Sequence, residues 1–172
     1  MEIGFADEQK QESQTSQPSK AKAAASHLMS KKPNQKTKIA LPQWRIPKNI
    51  QKRVEDEGGM WEDERFDPVL LTVLSDTSYQ GRDIPLGWQL EFDPSDDRLE
   101  SANEKFEAAG IEQDGDGWSS VIEKEFAKRY PKLAGEFHSD SESSTCVVWV
   151  ESESTCRKLM EVVWSLMHPT SS

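Results

Sequence analysis

A Gly/Asp loop that runs into an amphipathic helix stands at the centre of the sequence: Gly110-Ile-Glu-Gln-Asp-Gly-Asp-Gly-Trp118-Ser-Ser-Val-Ile-Glu123. Glycine is a common residue just past the end of a helix, and Asp is a preferred residue at the start of one. The stretch therefore predicts two helices joined by a short acidic connection. The segments on either side indicate what these helices pack against.

Two strands are predicted before the loop. The run Val69–Leu74 is apolar and rich in β-formers, and Gly87–Phe92 alternates apolar with polar residues. Alternation with a period of two places one set of side chains on one face of a sheet. The polar stretch Ser75–Pro85 between them is predicted to be a loop. A helix that starts at Asp93-Pro94 and carries apolar residues at helical spacing then leads to Gly110.

Three more elements and a final helix are predicted after the loop. The helix from Trp118 has an apolar stripe that ends before Pro131, and strands follow at 135–138 and 145–150. Ser152 can cap a last helix whose apolar face runs from Cys156 to Met167. The order β-β-α-α-β-β-α predicts an α+β fold, in which helices pack on one face of an antiparallel sheet.

Charge divides the chain into an arm and a body. Residues 20–54 carry ten Lys/Arg and no acid, whereas residues 55–172 carry ten Lys/Arg against 27 acids, a net charge of −17. Polar composition and scattered prolines predict that residues 1–58 form a disordered basic tail, of which Leu41–Ile50 is apolar enough to dock on the body. Residues 59–172 are predicted to form the α+β domain.

These charges limit the classes of partner that the protein can bind. An acidic body repels nucleic acid and anionic membranes and favours basic proteins, so nucleic acid is expected to bind weakly at most, through the tail. We expect a cytoplasmic protein, because no signal peptide and no membrane-spanning apolar stretch are present. Cys146 and Cys156 are expected to be reduced structural thiols. No cofactor is expected, and no catalytic arrangement is indicated, since the three histidines lack a nucleophile and orienting group at suitable spacing.

The loop itself has a calcium-binding interpretation. Glu112, Asp114, Asp116, Gly117 and Glu123 stand at positions one, three, five, six and twelve of an EF-hand loop. Against it, position one is Glu, position eight is Ser119, and the chain has no sister loop. In a purely structural alternative, Asp116 caps the following helix and the glycines form a turn.

The same residues resemble the polymorphic-toxin immunity family numbered fifty-one. The likeness rests on Gly110, Glu112, Asp114-Gly115, Asp116 and Trp118-Ser-Ser-Val-Ile, followed by Pro131-Lys-Leu133 before a strand pair and a last amphipathic helix. It covers roughly residues 67–168, and departs from the family pattern where Gly117 directly precedes Trp118.

The resemblance implies a non-enzymatic bacterial protein that binds and neutralises a cognate toxin domain. An acidic body suggests that this toxin is basic. Candidate contact residues for the toxin are Glu112, Asp114, Asp116 and Trp118, because Trp is frequent at the energetic centre of interfaces and exposed acids speed association with a basic partner. A calcium-binding module at residues 112–123 remains the alternative.

Overall fold

The computed structural model describes residues 39–169. Its elements are helices α1 to α4 and strands β1 to β5, with three short 3-10 turns between them. The helices are Ile50–Asp56 (α1), Glu100–Ala108 (α2), Gly115–Arg129 (α3) and Glu153–Met167 (α4). The strands are Met60–Asp63 (β1), Leu70–Tyr79 (β2), Arg82–Phe92 (β3), His138–Ser139 (β4) and Cys146–Val150 (β5).

The strands form one antiparallel sheet in the order β1-β2-β3-β5-β4. The register pairs Leu71 with Leu90 and Leu90 with Val148, so the apolar alternation of three strands falls on the same face. Every helix contributes side chains to a single core against this face, including Val54 of α1 and Phe106 of α2. The predicted α+β fold, with helices on one face of an antiparallel sheet, is confirmed.

The β2–β3 hairpin is longer than the sequence indicates. Residues 75–85, predicted to be a loop, pair from Ser75 with Leu86 to Tyr79 with Arg82. Gln80 and Gly81 both have positive φ, 51° and 78°. Two such residues form the tight turn that matches the twist of antiparallel strands. The hairpin is therefore continuous to its tip.

Smaller differences concern where elements begin. α2 starts at Glu100 after a 3-10 turn that Asp96 caps, rather than at Asp93-Pro94. Residues 135 and 136, part of the strand predicted at 135–138, lie in the 3-10 turn Ala134–Glu136, and only His138–Ser139 pair with β5. At α4 the prediction is confirmed, since Ser152 Oγ accepts a hydrogen bond from the Thr155 backbone N at 3.2 Å.

Residues 39–49, which we call the strap, lie against the domain, as the apolar character of Leu41–Ile50 within the predicted tail indicated. Trp44 packs on Phe66 with ring centroids 5.5 Å apart, and its Nε1 donates to Glu153 Oε1 at 3.0 Å. Nε1 of Trp164 donates to the Ile39 carbonyl oxygen at 3.2 Å. Apolar anchors and these hydrogen bonds hold the strap to α4. The strap leads into α1 and so differs from the predicted disordered tail, whose residues 1–38 lie outside the described part.

None of the helices between residues 39 and 169 combines the length and the apolar character needed to cross a bilayer.

Candidate protein-binding surface

The Gly/Asp loop begins with a capping aspartate. Asp114 Oδ1 accepts a hydrogen bond from the Gly117 backbone N at 2.8 Å, and the Asp114 carbonyl accepts from the Trp118 backbone N at 3.0 Å. This satisfies amide groups that the first turn of a helix leaves without partners. Asp114, and not Asp116, is therefore the residue that caps α3.

Both glycines of the loop stand where the backbone is crowded. A Cβ added to Gly115 would lie 2.0 Å from the Glu142 carbonyl oxygen, and one added to Gly117 would lie 1.9 Å from that of Glu112. Gly115 N also donates to the Ser143 carbonyl at 3.3 Å. Gly115 thus allows the start of α3 to approach the turn between β4 and β5, and Gly117 allows it to approach the backbone of Glu112. Their role here is packing.

Trp118 lies in the core and not on the surface. Its side chain is fully buried, at 0% exposure, with ring centroids 5.1 Å from Phe92 and 4.6 Å from Phe106. Its Nε1 donates to Asn103 Oδ1 at 2.9 Å, which satisfies the one polar group of the indole. Its proposed contact with a partner is corrected accordingly: the residue anchors α3 to the sheet and to α2, and a partner cannot reach it in this fold.

The acidic residues of the loop have a different environment. Glu112 and Asp116 are exposed, and Asp114 is half-buried by its capping role. Because Gly115 touches the backbone of the 142–145 turn, exposed Glu142 is brought beside them. We call Glu112, Asp116 and Glu142 the acidic edge. Burial raises the pKa of the nearby Cys146 thiol to about 12, and the charge of Asp116 acts in the same direction.

The loop does not have the shape of an EF-hand loop. α3 begins at Gly115, the fourth of the twelve positions, so Glu123 lies well inside a helix. An EF-hand loop brings positions five and twelve to the same ion, whereas a helix that begins at position four sets Asp116 and Glu123 two turns, about 10 Å, apart along its axis. Within residues 39–169, no group of three or more His, Cys, Asp or Glu side chains is placed to hold a metal ion. Asp114 is already used as the helix cap.

A second feature, on the sheet face opposite the helices, was not found from the sequence. The ring centroid of Tyr79, near the hairpin tip, lies 5.0 Å from Trp149 of β5 and 4.6 Å from His138 of β4. His138 and Trp149 are stacked at 4.1 Å. Since β3 separates β2 from β5 in the sheet, these contacts require the hairpin end to fold over the outer face.

An ion pair fastens the same hairpin end. Both terminal nitrogens of Arg82 donate to the Glu151 carboxylate, and His138 Nε2 lies 3.4 Å from Glu151 Oε1. The hydrogen bonds from Arg82 lower the pKa of Glu151 below its ordinary value. The sequence did contain a signal for this hairpin end. Thr77 and Tyr79 before Gln80-Gly81, and Ile84 and Leu86 after it, stand at every second position as in paired strands, but Pro85 made the second segment look like a loop.

Residues 86–170 match the model of a family described as Immunity protein 51. This part of the chain is similar to that family. The resemblance drawn from the sequence is confirmed, and the match indicates an immunity protein. It spans most of β3 and all the later elements, including the whole Gly/Asp loop. No curated protein and no solved structure matches the chain.

Proposed function

We propose that this protein is a non-enzymatic immunity protein, which binds and neutralises the toxin domain of a bacterial polymorphic toxin system in the cytoplasm. The observation that carries the proposal is the family match over residues 86–170. The matched segment holds α2, α3, α4 and the strands they pack on, which together form most of the folded body. The fold therefore supports binding by a preformed surface.

The charge of the body supports a basic partner. Residues 55–172 carry a net charge of −17, and the acidic edge is exposed. A field of one sign accelerates encounters with a surface of the opposite sign and disfavours wrong partners. A toxin that acts on nucleic acid needs a basic surface for its substrate, so an acidic inhibitor fits such a toxin. A nuclease is the class that we propose.

The partner is identified with the tagged full-length protein in its native host. We expect it to retain one large polypeptide with a toxin domain at its C-terminus, in equal amounts with and without a chelator. The isolated domain should arrest growth when expressed alone, and co-expression of this protein should restore growth. Retention that depends on calcium would contradict the proposal and support the calcium-binding alternative.

The acidic edge is tested by charge reversal. Glu112→Lys with Asp116→Lys should lower the association rate with the toxin domain roughly three- to tenfold and change dissociation less, because exposed charges act mainly on the encounter. Asp114 is left unchanged because it caps α3. Glu104→Lys with Glu107→Lys on the exposed side of α2 makes the same change in net charge elsewhere. Equal effects of the two pairs would show that no specific contact is made at the acidic edge.

A further inference from the structure

Part of the sheet face opposite the helices, over β1, β2 and the ends of β3 and β5 that carry Glu91 and Val147, lies outside the helix-covered core. All four helices contribute to one core, and the strand residues of that core lie on the inner face. The register places another set of side chains outward: it pairs Met60 with Leu74, Glu62 with Thr72, and Leu70 with Glu91. None of these outward residues belongs to the helix-covered core. Met60 and Glu62 are exposed on this side of the sheet, whereas Thr72 between them and β3 is only 3% exposed.

The outward side chains combine apolar residues with acids. Met60 is 47% exposed, and Leu70, Leu74 and Val147 are half-buried. Glu91 stands between Leu70 and Val147 in the register, and Glu62 lies in the next row beside Thr72. Paired residues of neighbouring strands lie about 5 Å apart, so Met60 adjoins Leu74 in one row and Glu91 adjoins Leu70 and Val147 in another, with the row of Thr72 and Gln89 between them. We call Met60, Glu62, Leu70, Leu74, Glu91 and Val147 the open sheet face.

The charges on the open sheet face are all of one sign. No Lys or Arg occupies an outward position in these rows, and among the described residues neither Glu62 nor Glu91 forms an ion pair. Arg65 and Arg82, on the neighbouring segments, are already paired with Asp63 and Glu151. Glu91 accepts a hydrogen bond from Gln89 Nε2 at 3.1 Å, but neither carboxylate has a cationic partner. Two such carboxylates beside partly exposed apolar side chains fit a partner that supplies both an apolar contact and cations.

We infer that the open sheet face is a docking surface for a Lys/Arg-flanked apolar segment of the toxin domain. The inference rests on the proposed function and adds to the acidic edge a second, larger contact. The folded-over hairpin end bounds this face on the β5 side, because Tyr79 lies on Trp149 and His138 there. A partner segment bound to the open sheet face would therefore contact the hairpin end along one edge.

Other occupants fit less well. A second copy of the chain would bring Glu62 and Glu91 against identical carboxylates, and an anionic membrane or nucleic acid would also be repelled. The chain's own residues 20–38 carry six Lys and no acid. However, the strap begins on α4, where Trp164 holds the Ile39 carbonyl, on the opposite side of the sheet from the open face. A basic partner protein is the occupant that charge complementarity favours.

The probe is the purified toxin domain of the polypeptide that the wild-type full-length protein retains. Glu62→Lys with Glu91→Lys should raise its Kd at least tenfold, and Leu74→Asp should raise it by a similar factor. Glu104→Lys with Glu107→Lys should leave Kd within about twofold, as a control of equal net charge. Circular dichroism of each variant separates loss of binding from loss of folding. A photo-crosslinking residue at position 74, and not at 104, should capture a Lys/Arg-containing peptide of the toxin domain.

Each contrary outcome overturns the inference in a recognisable way. If the wild type binds the toxin domain and folded open-face variants bind equally well, the docking surface is elsewhere and the immunity function stands. If the wild type binds no toxin domain, the inference and the proposed function both fail. A stable dimer that Leu74→Asp dissociates would assign the face to a second copy. Tighter toxin binding after Lys→Gln changes at all six lysines of residues 20–38 would assign it to the chain's own arm.

Discussion

Gly115 determines how closely α3 approaches the turn between β4 and β5. An added Cβ would meet the carbonyl oxygens of Glu142 and Thr145 at 2.0 and 2.2 Å, and both are backbone atoms that cannot rotate away. We expect Gly115→Ala to lower the free energy of unfolding by about 1–3 kcal/mol, the usual range for overpacking. Urea unfolding followed by tryptophan fluorescence measures this. Gly135→Ala, which meets no atom within 4 Å, should change stability by less than about 1 kcal/mol. Equal losses in both variants would contradict the close approach.

Asp96 offers a test of a single hydrogen-bonded ion pair. Hydrogen bonds from the Arg98 side chain lower the pKa of Asp96 to about 2, from an ordinary value of 3.8. We expect Arg98→Ala to return this pKa toward 3.8, as measured by NMR titration of the carboxyl carbon. Because the folded pKa is the lower one, the stabilisation is present at neutral pH and is lost as pH falls through about 2. Arg129→Ala, which removes a partner of Glu125, should leave the Asp96 titration unchanged.

At the scale of elements, the strap is the part whose contribution is most easily measured. Trp44→Ala removes the ring contact with Phe66 and the hydrogen bond to Glu153. Since Trp44 is only half-buried, we expect a loss of about 1–3 kcal/mol, below that of a fully buried tryptophan. Lys48→Ala, on the exposed side of the same strap, should change stability by less than about 0.5 kcal/mol. If urea midpoints of the two variants coincided, the strap would not be part of the cooperative fold.

Elements with a strong local pattern were predictable, and those held by distant contacts were not. The alternation of Trp88, Leu90 and Phe92 identified β3, and the Ser152 cap identified α4. At the hairpin end the alternation is interrupted by Pro85, and Tyr79 is held by Trp149 and His138, more than fifty positions away. For the candidate site, the exposure of Glu112 and Asp116 agreed with expectation, whereas the core position of Trp118 depended on Phe92, Phe106 and Asn103. Their role in binding a toxin stays a prediction.

At the scale of the whole molecule, one face of the sheet carries the main core, and part of the other is the surface that we propose for contact. The helices and the strap bury the inner face, and most acids of the body are exposed. Apolar residues therefore stabilise the structure on one side, while charge directs association on the other. A substitution in the core should change stability first, and one on the open sheet face should change partner binding first.

The two cysteines report on the integrity of the whole core. Cys146 in β5 and Cys156 in α4 are free, fully buried and part of the same core, and burial raises the pKa of both thiols. Because the thiolate is the reactive form, neither should react with a thiol reagent in the native protein at pH 8. In urea both should be modified together, at a rate that follows global unfolding. Ser101→Cys on the exposed surface of α2 provides a thiol that should react at once. Rapid modification of either natural cysteine in the native state would show that α4 or β5 opens independently of the remaining core.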